Sequence, residues 1–117
     1  MESKKFESLK RNSDFLALRS SGRRLWATQW LLFNYQKSHQ KLRVGFTASR
    51  KVGSAVVRNR LKRWSRDLIR SFQKEGDSFN GDLNIIFKPM PNEFYKKLTY
   101  GVFKEGLEKG WVRIGKS

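Results

Sequence analysis

Between residues 55 and 74, Val57, Leu61, Trp64, Leu68 and Phe72 recur at steps of four, three, four and four. That spacing gathers side chains on one narrow stripe of an α-helix. The same spacing collects Asn59, Lys62, Arg63, Arg66 and Arg70 on the opposite side. A helix so divided must lay its apolar stripe on another layer of structure while its cationic face stays outside. The sequence therefore predicts a helix from Ala55 to about Lys74 as the organising element.

The other layer is legible as strands. From Trp26 to Tyr35 the aromatic and branched residues Trp30, Leu31, Leu32, Phe33 and Tyr35 predict one strand, and Arg43 to Ala48 predicts a second after a polar turn. These two are expected to pair as a hairpin. Gly76 and Gly81 bracket a turn that leads to a third strand, Asp82 to Phe87. A short first helix is expected from a cap at Asn12 or Ser13 to about Ser20, with Gly22 just past its end. A closing helix is expected from a cap at Asn92 through Phe94 and Val102 to Leu107, weakened at Gly101 and Gly106 by roughly 1 kcal/mol each relative to Ala. The order is αββαβα: an α+β, single-domain sandwich of helices on a small central sheet, spanning residues 1–117 with its core at about 9–109.

Charge narrows the function. The 117 residues carry 26 Lys and Arg against 10 Asp and Glu, a net charge of +16. Self-repulsion on that scale is ordinarily relieved by a polyanion, nucleic acid first and an acidic membrane surface second. The charges are also segregated. From Phe15 to Arg66 there is no acidic residue, yet the span holds half of all the cations. Such a span cannot be a face laced with ion pairs, so one surface has been kept free of negative charge.

The chain has no cysteine, which excludes disulfides, thiolate metal sites and cysteine nucleophiles. It has one histidine, His39, in a lysine-flanked polar loop. Neither a nucleophile triad nor a carboxylate metal cluster can be assembled from these residues, so no catalytic side chain is expected. No apolar run approaches the roughly 20 residues needed to span a bilayer, and the N-terminal residues lack the apolar core of a secretory signal. The expected location is cytoplasmic, with no membrane partner.

The informative stretch is RVGFTASRKVGSAVVRNRLKRWSR, residues 43–66. The second strand delivers Ser49, Arg50 and Lys51 into a turn at Gly53, and the basic helix follows at once. Guanidinium groups offer phosphate bidentate, charge-assisted bonds and stack on bases, while Asn59 suits bases or 2'-hydroxyls. The amides at the helix N-terminus near Ala55 would add an anion site if left open.

Here the sequence resembles the protein component of bacterial ribonuclease P. The segment from Lys51 to Arg63 is similar to that family's signature, centred on the triplet Arg58-Asn59-Arg60. Leu9 to Phe15, Arg43-Val44-Gly45, Ser49-Arg50-Lys51 and Ile85-Ile86 before Pro89 are similar to flanking segments of the family in the same order. The resemblance implies a protein that binds the catalytic RNA of ribonuclease P and assists removal of the 5' leader from precursor tRNA. It implies docking on the RNA subunit through Arg58, Asn59, Arg60, Lys62, Arg63 and Arg66. It also implies a cleft for the single-stranded leader formed by Phe15, Leu31, Phe33, Ser49, Arg50 and Lys51, and a left-handed β-α-β crossover against the usual rule. Arg19 stands where many members carry a second cleft aromatic. The holoenzyme would use Mg2+ bound mainly by RNA, and the protein alone would be a monomer. Two alternatives fit charge and size: a structural RNA-binding protein such as a ribosomal component, and a small nuclease acting without RNA.

Overall fold

The computed structural model describes residues 6–74 and 79–116, so the turn expected at Gly76 lies outside the described residues. The elements are β1 (Glu7–Ser8), α1 (Asn12–Ser21), β2 (Arg23–Trp26), β3 (Leu31–Lys37), β4 (Arg43–Thr47), one 3-10 turn (Arg50–Val52), α2 (Ala55–Lys74), β5 (Gly81–Phe87), α3 (Phe94–Lys97) and α4 (Tyr100–Lys116). The fold is α+β, as expected.

Helix α2 has the expected bounds, and Val57, Leu61, Leu68 and Phe72 of its stripe are buried, joined by Ser65 and Ile69. Each large apolar side chain so buried contributes roughly 1.5–3 kcal/mol. Trp64 is only half-buried, with Tyr100 and Phe103 of α4 against its ring at centroid distances of 5.3 and 5.4 Å.

The strands depart from expectation in three ways. The run from Trp26 to Tyr35 is not one strand but a hairpin. The Trp30 amide donates to Thr28 Oγ1 at 3.1 Å and the Ala27 amide to the Leu31 carbonyl at 2.9 Å, folding β2 back on β3. Threonine's local hydroxyl bond competes with strand continuation at that point. Second, β3 and β4 do not pair. The sheet order is β1-β4-β5-β3-β2, with β5 inserted between them, antiparallel to β3 and parallel to β4. Parallel neighbours need a long crossover, and α2 supplies it between β4 and β5. Third, Glu7–Ser8 adds a short parallel edge beside β4.

The helix termini also differ. At the entry to α1 the capping position is Arg11, without a side-chain cap bond, so neither Asn12 nor Ser13 fills that role. The closing helix is broken in two. Asn92 and Glu93 have φ of 58° and 53°, and the hydroxyl that receives an amide at the head of α4 is that of Thr99, from Val102 at 3.3 Å. Helix α4 then runs on through buried Trp111 and Ile114, so the core extends from Phe6 to Ile114, beyond the expected limits of 9 and 109. Gly110 is needed for this packing, since a Cβ there would lie 2.7 Å from Cζ of Phe33. None of the helices among the described residues is long and apolar enough to cross a membrane.

Register assigns the two faces of the sheet, because successive side chains alternate and paired residues share a side. Leu31, Phe33 and Tyr35 pair with Phe87, Ile85 and Leu83 and belong to the core with residues of α2 and α4. On the other face lie Leu32 and Asn34 of β3, paired with Ile86 and Asn84 of β5, which pair in turn with Thr47 and Gly45 of β4. Helix α1 covers only part of that second face. What it leaves open is the site.

Candidate nucleic-acid interface

A cleft of about 620 Å³ runs between α1 and the uncovered face of the sheet. Leu32, Asn34, Thr47, Asn84 and Ile86 form its floor. Asn12, Phe15 and Arg19 of α1 line one side, Ser49 and Lys62 the other, and Arg24 and Lys88 the end towards β2. Among the described residues, four cations and no carboxylate line it.

Its polar floor is held in place by internal bonds. Asn34 Nδ2 donates to the carbonyls of Leu18 at 3.0 Å and Arg23 at 3.1 Å, tying α1 and β2 to β3. Thr47 Oγ1 donates to Asn84 Oδ1 at 3.1 Å. Two of the acids, Asp14 and Asp82, are neutralised from within. Arg43 donates through Nε and Nη2 to both oxygens of Asp82, at 2.8 and 2.7 Å, and its Nη1 lies 3.3 Å from Asp14 Oδ2. The bond to Asp82 and the field of both carboxylates hold the Arg43 guanidinium charged well above its already high range. A phosphate entering the cleft therefore meets cations whose counter-charges are elsewhere.

Of the residues expected at the leader cleft, Phe15 and Ser49 line it. Leu31 and Phe33 do not. Both are 0% exposed on the helix-packed face, and their neighbours Leu32 and Asn34 occupy the floor instead, one residue out of phase. Asn34 interrupts an otherwise apolar run, and only its pairing in register with a second asparagine, Asn84, shows that the interruption marks the open face. Arg50 and Lys51 lie on the 3-10 turn just beyond Ser49, exposed beside the cleft and not in its lining. Residue spacing missed Arg24 and Lys88, which only the assembled sheet brings to the cleft.

The cations of α2 are likewise sorted by position. Asn59 and Arg63 are exposed on the outer face. Lys62, expected with them, lines the cleft. Arg66 places its guanidinium 5.4 Å from the ring centre of Phe46. Arg58 donates from Nε to the Gly53 carbonyl at 3.1 Å, bracing the turn that precedes the helix. Arg60 turns inward: its Nη2 donates to the Tyr95 carbonyl at 2.8 Å, and its guanidinium lies 5.0 Å from the ring centre of Trp64. The helix N-terminus is not fully open either, because Ser54 Oγ receives the Val57 amide at 3.3 Å.

A basic, acid-free cleft beside a helix bearing the Arg58-Asn59-Arg60 triplet agrees with comparison to known proteins: the ribonuclease P family matches residues 3–115. The chain belongs to the ribonuclease P protein family. Among its relatives, the ribonuclease P protein component of Dictyoglomus thermophilum is 32% identical over 111 residues, covering 95% of this chain and 90% of the relative. That of Bacillus cereus strain G9842 is 36% identical over 114 residues, covering 97% and 99%. The solved ribonuclease P protein of Thermotoga maritima superposes with a TM-score of 0.77 at 28% identity, covering 92% of this chain and 96% of that one. This ribonuclease P protein is thus a subunit of an endoribonuclease that acts in tRNA 5' maturation, which sets aside the ribosomal alternative.

Proposed function

We propose that the cleft between α1 and the sheet holds the single-stranded 5' leader of precursor tRNA, and that the outer face of α2 docks on the catalytic RNA subunit. The observation that carries this reading is the cleft lining: the Phe15 ring with Arg19, Arg24, Lys62 and Lys88 around it and no carboxylate. A positively charged groove combined with an aromatic ring binds single strands with little regard to sequence, which suits leaders of varied sequence. Asn59 and Arg63, exposed on α2, lie apart from the cleft lining and remain available to a second RNA surface.

Among the described residues no group of three or more His, Cys, Asp or Glu gathers where it could hold a metal. The Mg2+ of the holoenzyme is proposed to sit mainly on RNA. The protein contributes leader affinity and charge screening.

The reading is tested by reconstituting the protein with a ribonuclease P RNA and measuring affinity for precursors of increasing leader length. The protein-dependent gain is expected to rise with leader length and then level off. An equal gain for leaderless tRNA would remove the cleft assignment. Lack of any stimulation of cleavage would remove the subunit role.

A further inference from the structure

Of the four tryptophans, Trp30 and Trp111 are buried and Trp64 is half-buried against α4, but Trp26 is 48% exposed. Its place in the sheet decides what that exposure means. Trp26 pairs with Leu32, and Arg24 with Asn34; Leu32 and Asn34 are cleft floor. Cross-strand partners share a face, so Trp26 and Arg24 stand on the cleft side of the edge strand β2.

Lys88 links the two. It follows β5, lines the cleft, and places its Nζ 5.9 Å from the Trp26 ring centre. The backbone beneath Trp26 is anchored, since its carbonyl accepts a bond from Arg113 Nη1 at 3.1 Å. A solvated indole on a fixed strand, continuous with a cationic groove, has the chemistry of a base-stacking station.

We propose that Trp26 extends the cleft across β2 and stacks a base of the single-stranded RNA, while Lys88 and Arg24 hold the flanking phosphates. This rests on the leader reading of the cleft. It adds a second aromatic position on the same face of the sheet, at the opposite edge of the cleft from Phe15.

The test uses the reconstituted holoenzyme and precursors of graded leader length, comparing wild type with Trp26→Ala and Trp26→Phe. A lost base stack corresponds to roughly a tenfold loss of affinity. The expected result is a loss of about that size for Trp26→Ala confined to longer leaders, largely restored in Trp26→Phe. Fluorescence gives a second reading, because quenching by a leader oligonucleotide should disappear in Trp26→Ala. If Trp26→Ala matches wild type at every length while wild type still gains from the leader, the stacking role is wrong and the cleft reading stands. If wild type gains nothing from any leader, both fall. Equal losses on leaderless tRNA would also overturn the stacking role.

Discussion

The ring of Phe15 occupies the space that a side chain at residue 45 would need: a Cβ built on Gly45 would lie 2.6 Å from both Cε1 and Cζ of Phe15. Glycine at this point of β4 lets the ring lie directly on the sheet and so sets the depth of the cleft. Gly45→Ala should lift Phe15 and α1, weakening the leader-dependent part of precursor affinity by about tenfold if a base stack is lost. Affinity for the RNA subunit should hardly change. Binding assays with and without a leader check this, and unchanged leader dependence would show that Phe15 does not contact RNA.

Arg60 and Arg63 separate structure from binding on one helix. Arg60→Ala removes a charge-assisted bond to the Tyr95 carbonyl and the contact with Trp64, and should cost about 1–2 kcal/mol of stability after allowance for its partial exposure. Arg63→Ala should leave thermal stability intact and flatten the salt dependence of RNA-subunit binding by about one phosphate contact. Unfolding curves and a salt titration distinguish them. An unchanged salt slope for Arg63→Ala would take the outer face of α2 off the RNA.

Phe33 belongs to the core. Phe33→Ala should destabilise the protein by about 3–5 kcal/mol and, where the variant still folds, weaken precursor and mature tRNA equally. Phe15→Ala should instead weaken the precursor selectively. A selective leader defect in Phe33→Ala would contradict its placement behind the sheet.

Tyr95 makes stability sensitive to alkaline pH. Its hydroxyl is buried and lies 2.5 Å from the Lys88 carbonyl and 3.0 Å from that of Trp30, and burial pushes its pKa well above the ordinary tyrosine range. Below about pH 10 both folded and unfolded chains keep the proton. Above it the unfolded chain ionises first, so stability falls by about 1.4 kcal/mol per pH unit from this group. Denaturant unfolding at about pH 9 and about pH 11 should show a decline that is smaller in Tyr95→Phe by about 1 kcal/mol. Equal declines would mean that the hydroxyl ionises in the folded state as easily as in the unfolded one.

Local pattern carried much of this protein. The stripe from Val57 to Phe72 specifies α2 to its ends, because helical periodicity and burial are recorded every three or four residues and need no knowledge of the partner layer. The acid-free span from Phe15 to Arg66 likewise marks a polyanion surface by composition alone, and the Arg58-Asn59-Arg60 signature names the family.

Pairing and phase lay beyond that reach. No local feature of Arg43 to Ala48 says that β5, some forty residues later, will separate it from β3, since strand neighbours are chosen by the crossover that buries α2. Phase was decided in the same way. Leu31 and Phe33 are as apolar as Leu32, and only docking of α4 through Gly110 against Phe33 turns one set inward and gives Leu32 and Asn34 to the cleft. The sequence by itself determined that this chain is a basic RNA-binding domain built on one amphipathic helix. Tertiary structure alone decided which cations line the cleft and which stay exposed on the outer face of α2, because a side chain's solvent exposure depends on the layer packed against it and not on its neighbours in the chain.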